Sequence, residues 1–183
     1  MLYYSKSVIL FTAALSLMFA AAVGAQTAAE LSQKSRRALS QLCANNHAAA
    51  NLRSSAVAIL VFPEIVKAGF VLGAQHGKGA LLSHGRAIGY YRTTAASYGL
   101  QAGVQKFGYA MFFMNDGDLN YLEKSDGWEF GTGPSVVIVD EGMARSFTTS
   151  SVRKGVYVFT FDQRGLMAGM GLQGSKITRF HPD

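Results

Sequence analysis

The chain has 183 residues, and 17 Lys and Arg against 11 Asp and Glu give it a net charge of +6. That is one domain's length with enough chain for a real core. The basic balance favours anionic partners such as phospholipid headgroups, nucleic acid or acidic polymers, without choosing among them. Cys43 is the single cysteine, which excludes an intrachain disulfide.

The first element is apolar. Ser7 to Val23 reads SVILFTAALSLMFAAAV, led in by Lys6 and closed by Val23-Gly24-Ala25. A charged lead, an apolar run and small residues at its end form the pattern of a secretory signal peptide. The run is slightly short of the roughly 20 residues a spanning helix needs. Cleavage is expected after Ala25, giving an exported, periplasmic or envelope-associated chain that starts at Gln26 and stays basic. Export makes nucleic acid the least expected of the anionic partners. Nothing after Ala25 is expected to span a bilayer as a helix.

From Thr27 to about Ser55, Ala28, Leu31, Ala38, Leu42, Ala49, Leu52 and Ala56 recur with helical spacing. Thr27 followed by Glu30 three residues on reads as a capping box. Asn45-Asn46 interrupts the pattern, so two helices are expected. Lys34, Arg36, Arg37 and Arg53 make the segment basic, either as a solvated helix face or as a face lying on an anionic membrane. Cys43 follows Ser40-Gln41-Leu42, well beyond the apolar leader, which does not fit a lipidation signal. It reads instead as a small apolar side chain.

From Ala56 the composition turns to Val, Ile, Phe, Tyr and Gly. Ala56 to Phe62 reads as a buried strand closed by Pro63, with a helical turn over Pro63 to Lys67. Short strands are expected at Phe70 to Gln75, Gly79 to Ser83 and Ala87 to Thr93, with a hairpin turn at Ser83-His84-Gly85-Arg86. Phe107 to Met114 is strand-like. Asp116 to Lys124 is helical, with Asp116 and Asp118 at the favourable end. Trp128 to Phe130, Ser135 to Asp140, Val156 to Phe161 and Met170 to Phe180 complete the strands. The 20 glycines exceed the usual share of about 7%. Glycine inside strands marks bends and close backbone approach. The expected fold is therefore α+β: N-terminal helices on a strongly curved, mainly antiparallel sheet, with a closed small barrel as the limit. The segments divide as a leader over 1–25, helices over 26–55 and a sheet domain over 56–183.

Motifs for known chemistry fail on their context. Gly169 to Gly174 spells G-x-G-x-x-G, but no βαβ unit fits before the chain stops at Asp183. Asp116, Asp118 and Asn120 imitate a calcium loop whose sixth and twelfth positions are then Tyr121 and Gly127 instead of Gly and Glu. His47, His76, His84 and His181 lack metal-ligand spacing. Ser97 lacks the preceding glycine of a nucleophile elbow. Asp140-Glu141 has no evident acid-base partner. No enzyme activity, metal or cofactor is expected.

Four segments together carry a resemblance: VAILVFPEIVKAGFVLGAQHGKGALL (Val57 to Leu82), IGYYRTTAASYGLQAGVQKFGYAMFF (Ile88 to Phe113), DGWEFGTGPSVVIVDEG (Asp126 to Gly142) and VFTFDQRGLMAGMGLQGSKITR (Val158 to Arg179). Their order and their dense motifs FP-x3-KAGF, SYGLQ-G and GLM-G-GLQGSKI resemble the SYLF domain, also called the Ysc-type actin-binding domain, over about Asn51 to Arg179. The resemblance implies phosphoinositide and membrane binding, with actin binding in some fungal relatives. An exported chain is not expected to meet actin, so it points to anionic phospholipid. The basic residues proposed for that contact are Lys34, Arg36, Arg37, Arg53, Lys67 and Lys78. The alternative is an envelope structural or protein-interaction protein without a lipid ligand.

Overall fold

The computed structural model describes residues 26–124, 127–129, 134–139, 155–165 and 175–182. The apolar leader over 1–25, the carboxylate pair at 140–141 and the glycine run at 169–174 lie outside the described residues.

Helix α1 (Ala28–Asn45) starts at a capping box. The Thr27 hydroxyl accepts from the Glu30 amide at 3.2 Å, and the Glu30 carboxylate accepts from the Thr27 amide at 3.3 Å. Two of the helix's orphan amides are thereby satisfied. Asn46 ends α1 in extended conformation and caps α2 (His47–Ser55), its Oδ1 accepting from the Ala49 amide at 3.0 Å. The interruption at Asn45-Asn46 thus separates two helices, as the apolar spacing implies.

Two long strands follow, β1 (Ala58–Ser83) and β2 (Arg86–Phe113), paired antiparallel along their whole length. His84 and Gly85 join them with φ of 48° and 78°. Two successive positive φ values make the tight turn whose twist matches that of the flanking strands. After α3 (Asp116–Lys124) come β3 (Trp128–Glu129), β4 (Val136–Val139), β5 (Val156–Gly165) and β6 (Lys176–Phe180). The described sheet has the order β3-β6-β2-β5-β4, with β1 on the other side of β2. Among the described strands only β4 and β5 pair in parallel. The result is the α+β architecture expected, with the sheet curled into a half-barrel.

Two local expectations need correction. The separate short strands at 70–75 and 79–83 are one strand, and Ala87 to Thr93 is continuous with Phe107 to Phe113. The helical turn over Pro63 to Lys67 is also strand, with a bulge between Phe62 and Ile65. Proline lacks the amide a ladder needs, and a bulge is where a strand accommodates it. The glycines bend these strands without ending them. Gly69 faces Gly103 across the ladder, a register shift follows between Phe70 and Leu72, and Gly103 has φ of +136°. The bend turns each long strand into two arms. The arms of β1 return so close that a Cβ on Gly79 would strike the Val61 carbonyl and the Phe62 ring.

Both faces of the sheet are buried near the helices, which explains the unbroken apolar runs. Leu60, Phe62, Ile65, Leu81, Tyr109, Met111, Phe113, Trp128 and Val158 fill the concave interior. Ile59, Val61, Ala80, Leu82, Ala110, Phe112, Tyr157 and Phe159 form a second layer under α1 and α2, where Leu39, Leu42, Ala49 and Leu52 cover them. Toward the bend the convex face is uncovered. His76, Arg92, Thr94, Val104 and Lys106 are exposed there, alternating with buried neighbours.

Candidate functional site

Where α1 crosses the two arms of β1, a cleft of about 780 Å³ opens. Lys34, Arg37, Ala38 and Gln41 line it from the helix, and Gln26 from the segment before it. The spacing 34, 37, 41 is one helical face. Pro63, Glu64 and Val66 come from the first arm of β1, His76, Gly77 and Lys78 from the second, and Asp162 from β5. The three permanent cations meet two carboxylates. One of these, Glu64, is already engaged by Lys106 at 3.5 Å. Both partners of that pair are exposed, so it contributes little to stability and mainly tempers the local field.

The basic surface extends from the cleft across the convex sheet. Lys78 is paired in register with Arg92, and Arg92 with Thr178. The Phe180 ring lies 5.5 Å from the Lys78 ammonium and 5.3 Å from the Arg92 guanidinium. An aromatic face shared by two cations offsets some of their mutual repulsion. Tyr90 packs edge-on against Phe180 and shares a 2.9 Å hydroxyl hydrogen bond with Ser32, tying α1 to this corner. Though exposed at the surface, the His76 imidazole is partly desolvated by its neighbours, which holds it below its ordinary value of 6.5, with further lowering from Lys78 and Arg92.

Of the six basic residues proposed from sequence, Lys34, Arg37 and Lys78 converge on the cleft. Arg36 lies beside them on α1, in a shallow groove with Gln33, Arg37, Ser40 and Gln41. Arg53 is elsewhere, in the last turn of α2 near His84 and Gly85 at the hairpin end. Lys67 is buried, 8% exposed, on the concave side. Arg92 and His76 belong to the surface and were not among the six. Their signal was present in the strand alternation, but a register shift between Leu81 and Leu82 decides which residue of β2 faces Lys78. Counting back from the turn without that shift pairs Lys78 with Tyr91.

Cys43 packs against the helix-covered layer, and burial pushes its thiol up, with Arg53 opposing. A protonated, half-buried thiol is a poor nucleophile. Among the described residues no group of three or more His, Cys, Asp or Glu could hold a metal, and no helix is long and apolar enough to cross a membrane.

A comparison with curated proteins gives no match. Residues 94–181 match the family model described as "Ysc84: Las17-binding protein actin regulator". The matched stretch runs from Thr94 in β2, ahead of the bend, through β6 and carries the SYGLQ-G and GLQGSKI motifs, and over those residues the chain carries the Ysc84-type (SYLF) domain.

Proposed function

We propose that this protein is a non-enzymatic peripheral module of the cell envelope that binds anionic phospholipid headgroups. The family supports the coarser part of this reading, a lipid- or actin-related binding role. The observation that favours lipid is the convergence of Lys34, Arg37 and Lys78 on one cleft, continued by Arg36 on the helix and Arg92 on the sheet. Each Lys or Arg close to an anionic membrane surface is worth about 1 kcal/mol, fading within a Debye length. Five such residues supply measurable binding collectively where none would alone. The leader supports an exported setting, in which anionic phospholipid is at hand and actin is not. Cleavage after Ala25 would also free the amino group of Gln26, itself a residue of the cleft, and add a cation there.

Co-sedimentation with vesicles tests the reading. The full chain should pellet with phosphatidylglycerol-containing vesicles at low salt, stay in solution with pure phosphatidylcholine, and be released by high salt. The variant carrying Lys34→Glu, Arg37→Glu and Lys78→Glu should stay in solution throughout. A wild type that ignores anionic vesicles at low salt would remove the lipid reading and leave the protein-interaction alternative.

A further inference from the structure

We propose that the concave interior beside the bend holds a second, recessed site for a small oxyanion of phosphate type, centred on Lys67. Lys67 is 8% exposed. The ion pairs among the described residues are Lys106 with Glu64 and Lys176 with Glu129, and neither includes Lys67. Most of the side chain is withdrawn from water while its ammonium is not among the fully buried unpartnered atoms, and a cation in such a recess is favoured when an anion or several hydrogen bonds replace part of its hydration.

The residues around it are polar and inward-facing. Ile65 belongs to the interior cluster, and Lys67 lies two residues further along the same face. By the same alternation Gln105 follows Phe107, Gln75 follows Leu81 and Gly77, and Ser175 precedes Ile177. Lys67 and Gln105 are register partners. A Cβ on Gly77 would come within 2.5 Å of Ile65, so the arms of β1 meet at that level. Two residues toward the bend on each arm stand Lys67 and Gln75. Gln75 donates to Ser175 at 3.4 Å, which adds the residue preceding β6 to the ring. Gln75, Gln105 and Ser175 are each at most 5% exposed.

Gln105 carries the second, independent sign of a ligand: its buried Oε1 has no hydrogen-bond partner among the described residues. A buried acceptor without a donor is costly, and native structures leave few. The Lys67 ammonium calls for an anion and the Gln105 carbonyl calls for a donor. A monohydrogen phosphate or a hydroxyl-bearing phosphate ester offers both, and acetate offers only the charge. The interior beyond this ring is filled, with the Phe62 and Tyr109 rings in tilted contact at 4.8 Å between centroids, so it offers no space to an acyl chain.

The site does not depend on the surface reading and is tested separately. Thermal unfolding of the full chain is followed with inorganic phosphate, glycerol 1-phosphate, acetate and sodium chloride at matched ionic strength. Phosphate or its glycerol ester should raise the wild-type midpoint by several degrees over chloride, with acetate weaker. A response to inorganic phosphate alone marks a free-phosphate site, and a larger response to the ester marks a headgroup site. Lys67→Met should lose the shift. Gln105→Glu places a carboxylate beside Lys67 and should raise the unliganded midpoint while abolishing the phosphate response. The Lys34→Glu, Arg37→Glu, Lys78→Glu variant should keep it. Absence of any wild-type shift beyond chloride overturns the proposal, as does a full shift retained in Lys67→Met or in Gln105→Glu.

Discussion

Ser35, fully buried on α1, donates its hydroxyl to the backbone carbonyl of Val61 on β1 at 3.3 Å. The bond joins the basic helix to the strand arm beneath it, so the geometry of the cleft depends on it. Ser35→Ala removes the donor and leaves a covered carbonyl. It should lower stability by about 1 kcal/mol in urea denaturation, with the slope unchanged.

Gly79 occupies a place where a side chain would meet the Val61 carbonyl and the Phe62 ring. The obstacle is partly backbone, which cannot swing aside as a side chain tip can. Gly79→Ala should cost about 1–3 kcal/mol, the usual penalty for overpacking, and Gly79→Val more. Equal midpoints for wild type and Gly79→Ala would show that the arms of β1 are not in contact.

Placement on the fold separates basic residues that the sequence groups together. Arg92→Glu, beside Lys78 and Phe180, should weaken binding to anionic vesicles several-fold at low salt. Arg53→Glu, at the hairpin end near Cys43, should leave binding within twofold of wild type. The measurement is the bound fraction against lipid concentration, and equal effects of the two reversals would argue for diffuse attraction by net charge.

The depressed His76 titration has opposite consequences for the free and bound protein. In the free chain the unfolded state takes up the proton first as pH falls below about 6.5, so the stability contributed by a neutral His76 is present above that value and lost below it. A bound anion reverses the balance by favouring the imidazolium among Lys34, Arg37, Lys78 and Arg92, against Glu64 and Asp162. Vesicle binding should therefore tighten between pH 7 and 5 while the free protein loses stability. His76→Gln should flatten both trends, and an unchanged pH profile in that variant would assign them to other groups.

Much of the fold was legible because it depends on local spacing. The capping box at Thr27 and Glu30, the interruption at Asn46, the turn at His84-Gly85 and the helix at Asp116 to Lys124 are set by residues within a few positions of one another. The apolar runs at 58–62, 107–113 and 156–159 announce strands buried on both faces. The length of β1 and β2 was not legible. Glycine and proline punctuate a sequence in the same way whether a strand stops or bends, and Gly69 and Gly103 bend theirs because each faces the other in the ladder.

The six basic residues were readable as charge and unreadable as a surface. Composition and helical period determined that Lys34 and Arg37 share a face of α1. Tertiary structure decided that Lys78 joins them, that Arg53 does not, and that Lys67 turns inward. The physical reason is the period of two in a strand. One bulge between Phe62 and Ile65 and one register shift beside Leu81 reassign every following side chain to a face, and both are consequences of how the hairpin closes on itself.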